Sequence, residues 1–306
     1  MWIPFHGRPH QTHGLEFNRQ TRCVRLGEMR AFFSNEWDGT GNLAVYFACK
    51  AGQVLSQTND VRIDFGAGRH HESPMSKRGA GRRLKKLRLL GGSTTPAVVG
   101  IVDSPESLKE ARRLTAKEVD FLEWRADFLG TGIVESKIPW IVTARHPAEG
   151  GQNAMSPSAR RAALLELLPS AALVDVEIRS LRGMDAVLGQ ARKASIGVIA
   201  SFHDFQKTPP APRLQALVKQ ASDAGADVLK IATHTNTPGD VARLLDLLEK
   251  TSLPLAVMGM GPLGMASRVM LAAAGSVLNY GWLHQPNVTG QWSAKDLRGI
   301  LTALRA

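Results

Sequence analysis

Hydrophobic positions along this chain fall into two regimes. From about residue 95 onward, short runs rich in β-branched residues alternate with stretches that are apolar at helical spacing. The runs predict strands near 97–102, 118–126, 140–145, 173–179, 195–203, 228–233, 255–260 and 277–282. The intervening stretches predict helices at 105–116, 158–168, 181–192, 211–224, 238–249 and 263–274, with a last one at 293–304. Two helices have marked starts, Ser104-Pro105 and Thr237-Pro238, each a capping side chain followed by proline in the first turn. Strict strand–helix alternation implies a parallel sheet covered by helices. Eight such strands favour a closed (β/α)8 barrel. No Gly-x-Gly-x-x-Gly follows a strand, which argues against a dinucleotide-binding sheet. The segment Phe128 to Pro139 is too short for a full helix between the second and third strands. A gap in the outer ring is expected there, covered by a neighbouring subunit, as in a homodimer, or by part of the N-terminal region.

Residues 1–92 show no sustained period of either kind and read as an N-terminal extension, poorly structured, ahead of a barrel domain at 93–306. Charge changes the picture here. The extension holds 15 basic and 7 acidic residues, so most of the chain's net +11 belongs to it. Its block Lys77 to Arg88 carries seven basic residues and no acid. Such a block can hold nucleic acid or an anionic surface. It lacks interleaved aromatics for base stacking, and a solvated lead-in is the favoured reading. Met75 is an alternative start. The only cysteines, Cys23 and Cys49, lie in this region without metal-ligand spacing and read as free thiols. No run is long enough to span a membrane, and the first residues lack the layout of a secretion signal, so a cytoplasmic protein is expected.

In a (β/α)8 barrel, chemistry sits at the C-terminal ends of the strands. Alternation puts Glu123, Arg125 and Asp127 on one face of the second strand, away from Leu122 and Trp124. Charges facing a barrel interior are costly unless paired or contacting a polar ligand. The third strand ends in Arg145, and Glu149 opens a Gly-Gly loop after it. Asp175 and Glu177 share a face of the fourth strand and read as internal support. His203 ends the fifth strand. Lys230 lies in the sixth, on the face of Val228 and Ala232. A desolvated amine can attack a carbonyl to form a Schiff base, and a histidine can move protons near neutral pH. Arg268 begins a helix after the seventh strand, where a guanidinium can fork onto a carboxylate. The loop Gln285 to Gln291 after the eighth strand is rich in amides. Together these point to an anionic, hydroxylated ketone as substrate. Neither a metal site nor a nucleotide cofactor is implied.

The stretches Glu123 to Asp127, Thr143 to Arg145 with Glu149 to Gly151, Ser201 to Pro209, Ala226 to Ala232, Gly264 to Arg268 and Gly290-Gln291 together resemble the type I 3-dehydroquinate dehydratases. The resemblance covers residues 95–306 in the family's order and implies dehydration of 3-dehydroquinate through an imine, in the shikimate route to aromatic amino acids. It implies Lys230 as imine former, His203 as proton carrier and Glu149 as the group holding the histidine ring. Glu123, Arg125 and Arg145 would bind substrate hydroxyls. Arg268 and Gln291 would bind its carboxylate, with Met260 and Tyr280 as apolar walls. Where the family usually has serine in the last loop, this chain has the bulkier Asn287. The alternatives are another lysine-imine lyase or aldolase on the same barrel, and a non-catalytic metabolite sensor whose basic arm binds nucleic acid.

Overall fold

The computed structural model describes residues 96–304 and the backbone of three strands, β1 (Gln20–Leu26), β2 (Met29–Trp37) and β3 (Leu43–Ala48). These three form an antiparallel sheet in the order β1-β2-β3. The sequence pattern assigns no element to this stretch. Apolar residues there sit side by side, as Cys23-Val24 and Phe32-Phe33, so the period-2 signal of a one-sided strand is missing. The basic block, Met75, Cys49 and the expected boundary at residues 92/93 lie outside the described residues.

The second unit is built on eight parallel strands: β4 (Ala97–Val102), β5 (Phe121–Arg125), β6 (Trp140–Thr143), β7 (Ala171–Glu177), β8 (Gly197–Asp204), β9 (Val228–His234), β10 (Leu255–Met260) and β11 (Leu278–Trp282). Hydrogen-bonded order runs β10-β9-β8-β7-β6-β5-β4-β11, which brings β10 and β11 to the closing seam. There the ladder is replaced by a few specific bonds. Val277 N donates to Leu255 O at 2.8 Å, and buried Ser276 Oγ accepts from Val257 N at 2.8 Å and donates to Val257 O at 3.1 Å. This is a nearly closed (β/α)8 barrel.

Alternation along the strands sorts the core into two layers. Val99, Phe121, Ile141, Leu173, Ile199, Val228 and Leu278 fill the barrel interior. Leu122, Trp124, Val142, Val174, Leu229 and Val257 face outward under the helices. Those helices are α1 (Pro105–Ala111), α2 (Ala126–Leu129), α3 (Pro157–Leu167), α4 (Asp185–Lys193), α5 (Ala211–Asp223), α6 (Pro238–Lys250), α7 (Gly264–Ala273) and α8 (Ala294–Ala303). Both sequence-marked starts are capping boxes: Ser104 with Ser107 on α1, and Thr237 with Asp240 on α6.

Between β5 and β6 there is only the single turn α2, so the full helix is indeed missing. Among the described residues, the connection itself packs over this gap. Trp124 and Trp140 meet edge-to-face at 5.5 Å. Their indole N–H groups donate to Gly130 O at 2.8 Å and Val134 O at 2.9 Å. Leu129, Ile133 and Val134 then pack on the outer core, and both tryptophans are almost fully buried. Two large aromatics with tied polar tips fill the volume a helix would occupy.

Candidate active site

The carboxyl ends of the strands carry a dense set of buried charges. On β9, Lys230 follows the interior residue Val228 and emerges 4% exposed. Its Nζ lies 3.1 Å from Glu123 Oε1 and 3.2 Å from Asp175 Oδ2, and 3.8 Å above the Tyr280 ring. The amine is therefore held between two carboxylates and an aromatic face rather than in an apolar slot. Glu123 Oε1 also accepts from Thr143 Oγ1 at 3.0 Å.

Arg145 occupies the centre of this floor. It forks onto Asp175 at 3.0 and 2.9 Å and reaches Glu177 at 3.1 Å and Ser201 at 2.7 Å. Its Nη2 also lies 3.7 Å from Glu123 Oε1. Most of its donors thus serve the barrel, and Asp175 and Glu177 act as the internal support expected of them. Burial pushes the Asp175 carboxyl up, but the charges of Arg145 and Lys230 outweigh it and hold it well below the usual carboxylate range. Arg125 forks onto Asp127 at 2.9 and 2.7 Å and donates to Gly150 O at 3.2 Å. Its Nη1 has no acceptor among the described residues.

His203 and Glu149 form a second group. The loop after β6 turns through Pro147–Glu149 and delivers Glu149 Oε2 to both His203 N and His203 Nδ1, each at 3.0 Å. When Glu149 is ionised its oxygens can only accept, which assigns the proton to Nδ1 and leaves the lone pair on Nε2. Burial, then the positive charges of Arg145 and Lys230, pull the His203 imidazole well below its ordinary value. It is a neutral base near pH 7. Burial raises the Glu149 carboxyl to about 7, against the opposing charge of Arg145. Gly150 sits at φ +84°, in the left-handed region that favours glycine, and a Cβ there would also push aside the tip of the exposed Phe205 ring.

Arg268, on α7, is 4% exposed. It donates to Gly259 O at 3.0 Å and Tyr280 O at 2.9 Å, and no carboxylate among the described residues pairs with it. Burial alone lowers it to about 10. Beside it in the last loop, Gln291 Oε1 accepts from Asn287 N at 2.9 Å, which leaves the Gln291 amide N–H groups unengaged. Asn287 is exposed and its side-chain amide contacts Asp103. Met260 and Tyr280 line the interior as apolar walls. The Tyr280 hydroxyl is buried without a partner, and burial, then the charges of Glu123 and Asp175, raise it well above its ordinary value.

The catalytic and substrate-binding candidates read from residues 123–291 all lie on the barrel strands or the segments that follow them. Sequence reasoning missed Arg160. This α3 arginine is 1% exposed, contacts Glu177 and donates through Nε to Ala144 O at 2.8 Å. Its signal was present: it shares the apolar helix stripe of Ala163, Leu164 and Leu167.

The carboxyl ends of the strands of this (β/α)8 barrel thus carry a caged lysine, a histidine held by a carboxylate and a buried arginine without a carboxylate partner, which together form a candidate active site. A family model for type I 3-dehydroquinase matches residues 97–306. The 3-dehydroquinate dehydratase of Enterococcus faecalis is 31% identical over 243 residues, covering 71% of this chain and 95% of that protein. That of Methanocella arvoryzae is 33% identical over 204 residues, 64% of this chain and 91% of the relative. A crystal structure of type I 3-dehydroquinate dehydratase from Clostridium difficile, with covalently modified comenic acid, superposes with a TM-score of 0.63 at 27% identity, covering 70% of this chain and 94% of that one. The enzyme of Geobacillus kaustophilus gives 0.62 at 28%, over 70% and 93% of the two chains. The chain belongs to the type I 3-dehydroquinase family, which are hydro-lyases. Among the described residues no helix is long and apolar enough to cross a membrane.

Proposed function

We propose that this enzyme dehydrates 3-dehydroquinate to 3-dehydroshikimate through an imine on Lys230. The observation that carries the reading is the placement of the Lys230 amine at the floor of the mouth, with His203 close enough to feel its charge. Lys230 Nζ, once deprotonated, adds to the C3 carbonyl, and loss of water gives the iminium. Asp175, held well below the usual carboxylate range, is a poor resting place for the lysine proton; Glu149, raised to about 7, is the better one. His203 Nε2 removes the C2 proton, and the electron pair moves into the iminium to give an enamine. The enamine expels the C1 hydroxyl, which takes a proton from the His203 imidazolium and departs as water. Water then hydrolyses the conjugated iminium and releases product and amine.

Supporting roles follow from the unengaged donors. Arg125 Nη1 is available to donate to a substrate hydroxyl, Glu123 Oε2 to accept from one, and Arg145 lies beside Glu123 on the same floor. Arg268, buried without a carboxylate, and the Gln291 amide are available to the substrate carboxylate. Glu149 keeps the proton on Nδ1, so that Nε2 faces the substrate as a base. The test is addition of 3-dehydroquinate while following the absorbance of the conjugated enone. The wild type should develop it and Lys230→Ala should not; full activity in that variant would contradict the mechanism.

A further inference from the structure

The buried charges beneath Lys230 do not end at the barrel wall. Glu177, fully buried, is a junction. Its Oε1 accepts from Arg145 Nη1 at 3.1 Å and from His146 N at 2.8 Å. The first bond leads through Arg145 and Asp175 to Lys230. The second fixes the main chain where β6 turns into Pro147–Glu149, the loop that brings Glu149 to His203. The other oxygen, Oε2, accepts from Ser180 Oγ at 3.2 Å and is in contact with Arg160 Nη2. Arg160 is held in turn by Ala144 O and by Ser180 Oγ, to which Nη1 and Nη2 both lie at 3.2 Å. A guanidinium from an outer helix is thereby locked onto the carboxylate from which both halves of the site are anchored.

The charge balance points the same way. Three carboxylates, Glu123, Asp175 and Glu177, face three cations, Lys230, Arg145 and Arg160. Arg125 is separately matched by Asp127. Without Arg160 the connected cluster would carry one uncompensated negative charge in the interior, where charge is weakly screened. We infer that Arg160 is a positioning residue of the active site: it balances the cluster that surrounds Lys230 and holds Glu177 so that the lysine and histidine arms keep their relative placement. This rests on the imine chemistry proposed above. The groups facing Lys230 are Glu123 from β5, Arg145 from β6, Asp175 from β7, with Glu177 behind it, His203 from β8 and Tyr280 from β11; β10 presents apolar Ala256, Met258 and Met260.

The test uses the full chain with cyanoborohydride and 3-dehydroquinate, reading the fraction of protein trapped as a function of pH together with kcat and KM. Arg160→Met leaves surplus negative charge in the cluster around the amine, so the trapping midpoint should move up by as much as about one pH unit. Glu177→Gln leaves surplus positive charge and should move it down. Arg160→Lys keeps the charge and should hold the midpoint while lowering kcat, because an ammonium cannot reproduce the fork onto Glu177, Ser180 and Ala144. For Arg160→Met, kcat should fall by about tenfold with KM changed less than about twofold, as expected for a group that never touches substrate. A purely structural arginine would change melting temperature alone and could not shift the midpoint in opposite directions at the two ends of one ion pair. Coincident midpoints, or shifts of the same sign, overturn the inference while leaving the dehydratase reading intact. If Arg160→Met does not fold, Glu177→Gln against Arg160→Lys decides it on the same terms. A wild type that traps no adduct overturns the activity and this inference together.

Discussion

Replacing Glu149 by glutamine should make the protein more stable at alkaline pH while impairing it as a catalyst. The carboxyl is 5% exposed and is raised from 4.5 to about 7, chiefly by burial, with Arg145 opposing. A carboxylate whose folded value lies above its unfolded value favours folding only while it is protonated. Its contribution is fully present below about pH 4.5 and is lost as pH rises through about 7. Above that, the folded state carries a penalty of about 3 kcal/mol relative to an uncharged side chain. Glutamine has nearly the same shape and keeps an oxygen that can accept from His203 N and Nδ1, so it removes the penalty and spares the geometry. For a unit of this size that corresponds to a rise in Tm of about 6 to 12 °C near pH 8.5, shrinking toward zero near pH 5. Thermal unfolding of both proteins across this range reads it directly. A Tm difference that does not change with pH, or a loss of stability near pH 8.5, would refute the reasoning.

Lys230→Ala should lose at least about a thousandfold in kcat. It should also destabilise the barrel by about 3 to 5 kcal/mol in urea unfolding, because Glu123 and Asp175 then face one another with a cation removed. Arg268→Met should raise KM by about 10- to 100-fold, the worth of charge-assisted bonds to a carboxylate; its Tm should be unchanged or higher, since the arginine is buried without a carboxylate partner and lowered to about 10. A KM unchanged in that variant would remove Arg268 from substrate binding. Ser276→Ala should cost about 1 to 3 kcal/mol by orphaning Val257 N–H at the barrel seam, with kcat unaltered.

Much of the barrel and its mouth is legible in the sequence because strand alternation and catalytic face obey the same geometry. Glu123 and Arg125 share a side with Phe121, and Lys230 with Val228 and Ala232, so the side that faces the core low in the barrel faces its mouth at the rim. The capping boxes of α1 and α6 are local chemistry and could be read from four residues each. What escaped is what depends on distant partners. Nothing near Arg145 says that Asp175, Glu177 and Ser201 will take up most of its donors. Arg160 was overlooked because arginine in an amphipathic helix is ordinarily read as solvent-facing, although its stripe is apolar. The Trp124–Trp140 cover replaces a helix through side-chain volume, which no periodicity encodes. The strands of residues 20–48 lack the alternation by which strands are read at all.

The central claim is that Lys230 forms an imine with 3-dehydroquinate. Its most direct test is intact mass and peptide mapping after borohydride reduction of the enzyme mixed with that compound. The account requires a single adduct, with the mass of a reduced imine, on the peptide containing Lys230 and absent from Lys230→Ala. An unmodified protein that nonetheless dehydrates the substrate, or an adduct on another lysine, would contradict it.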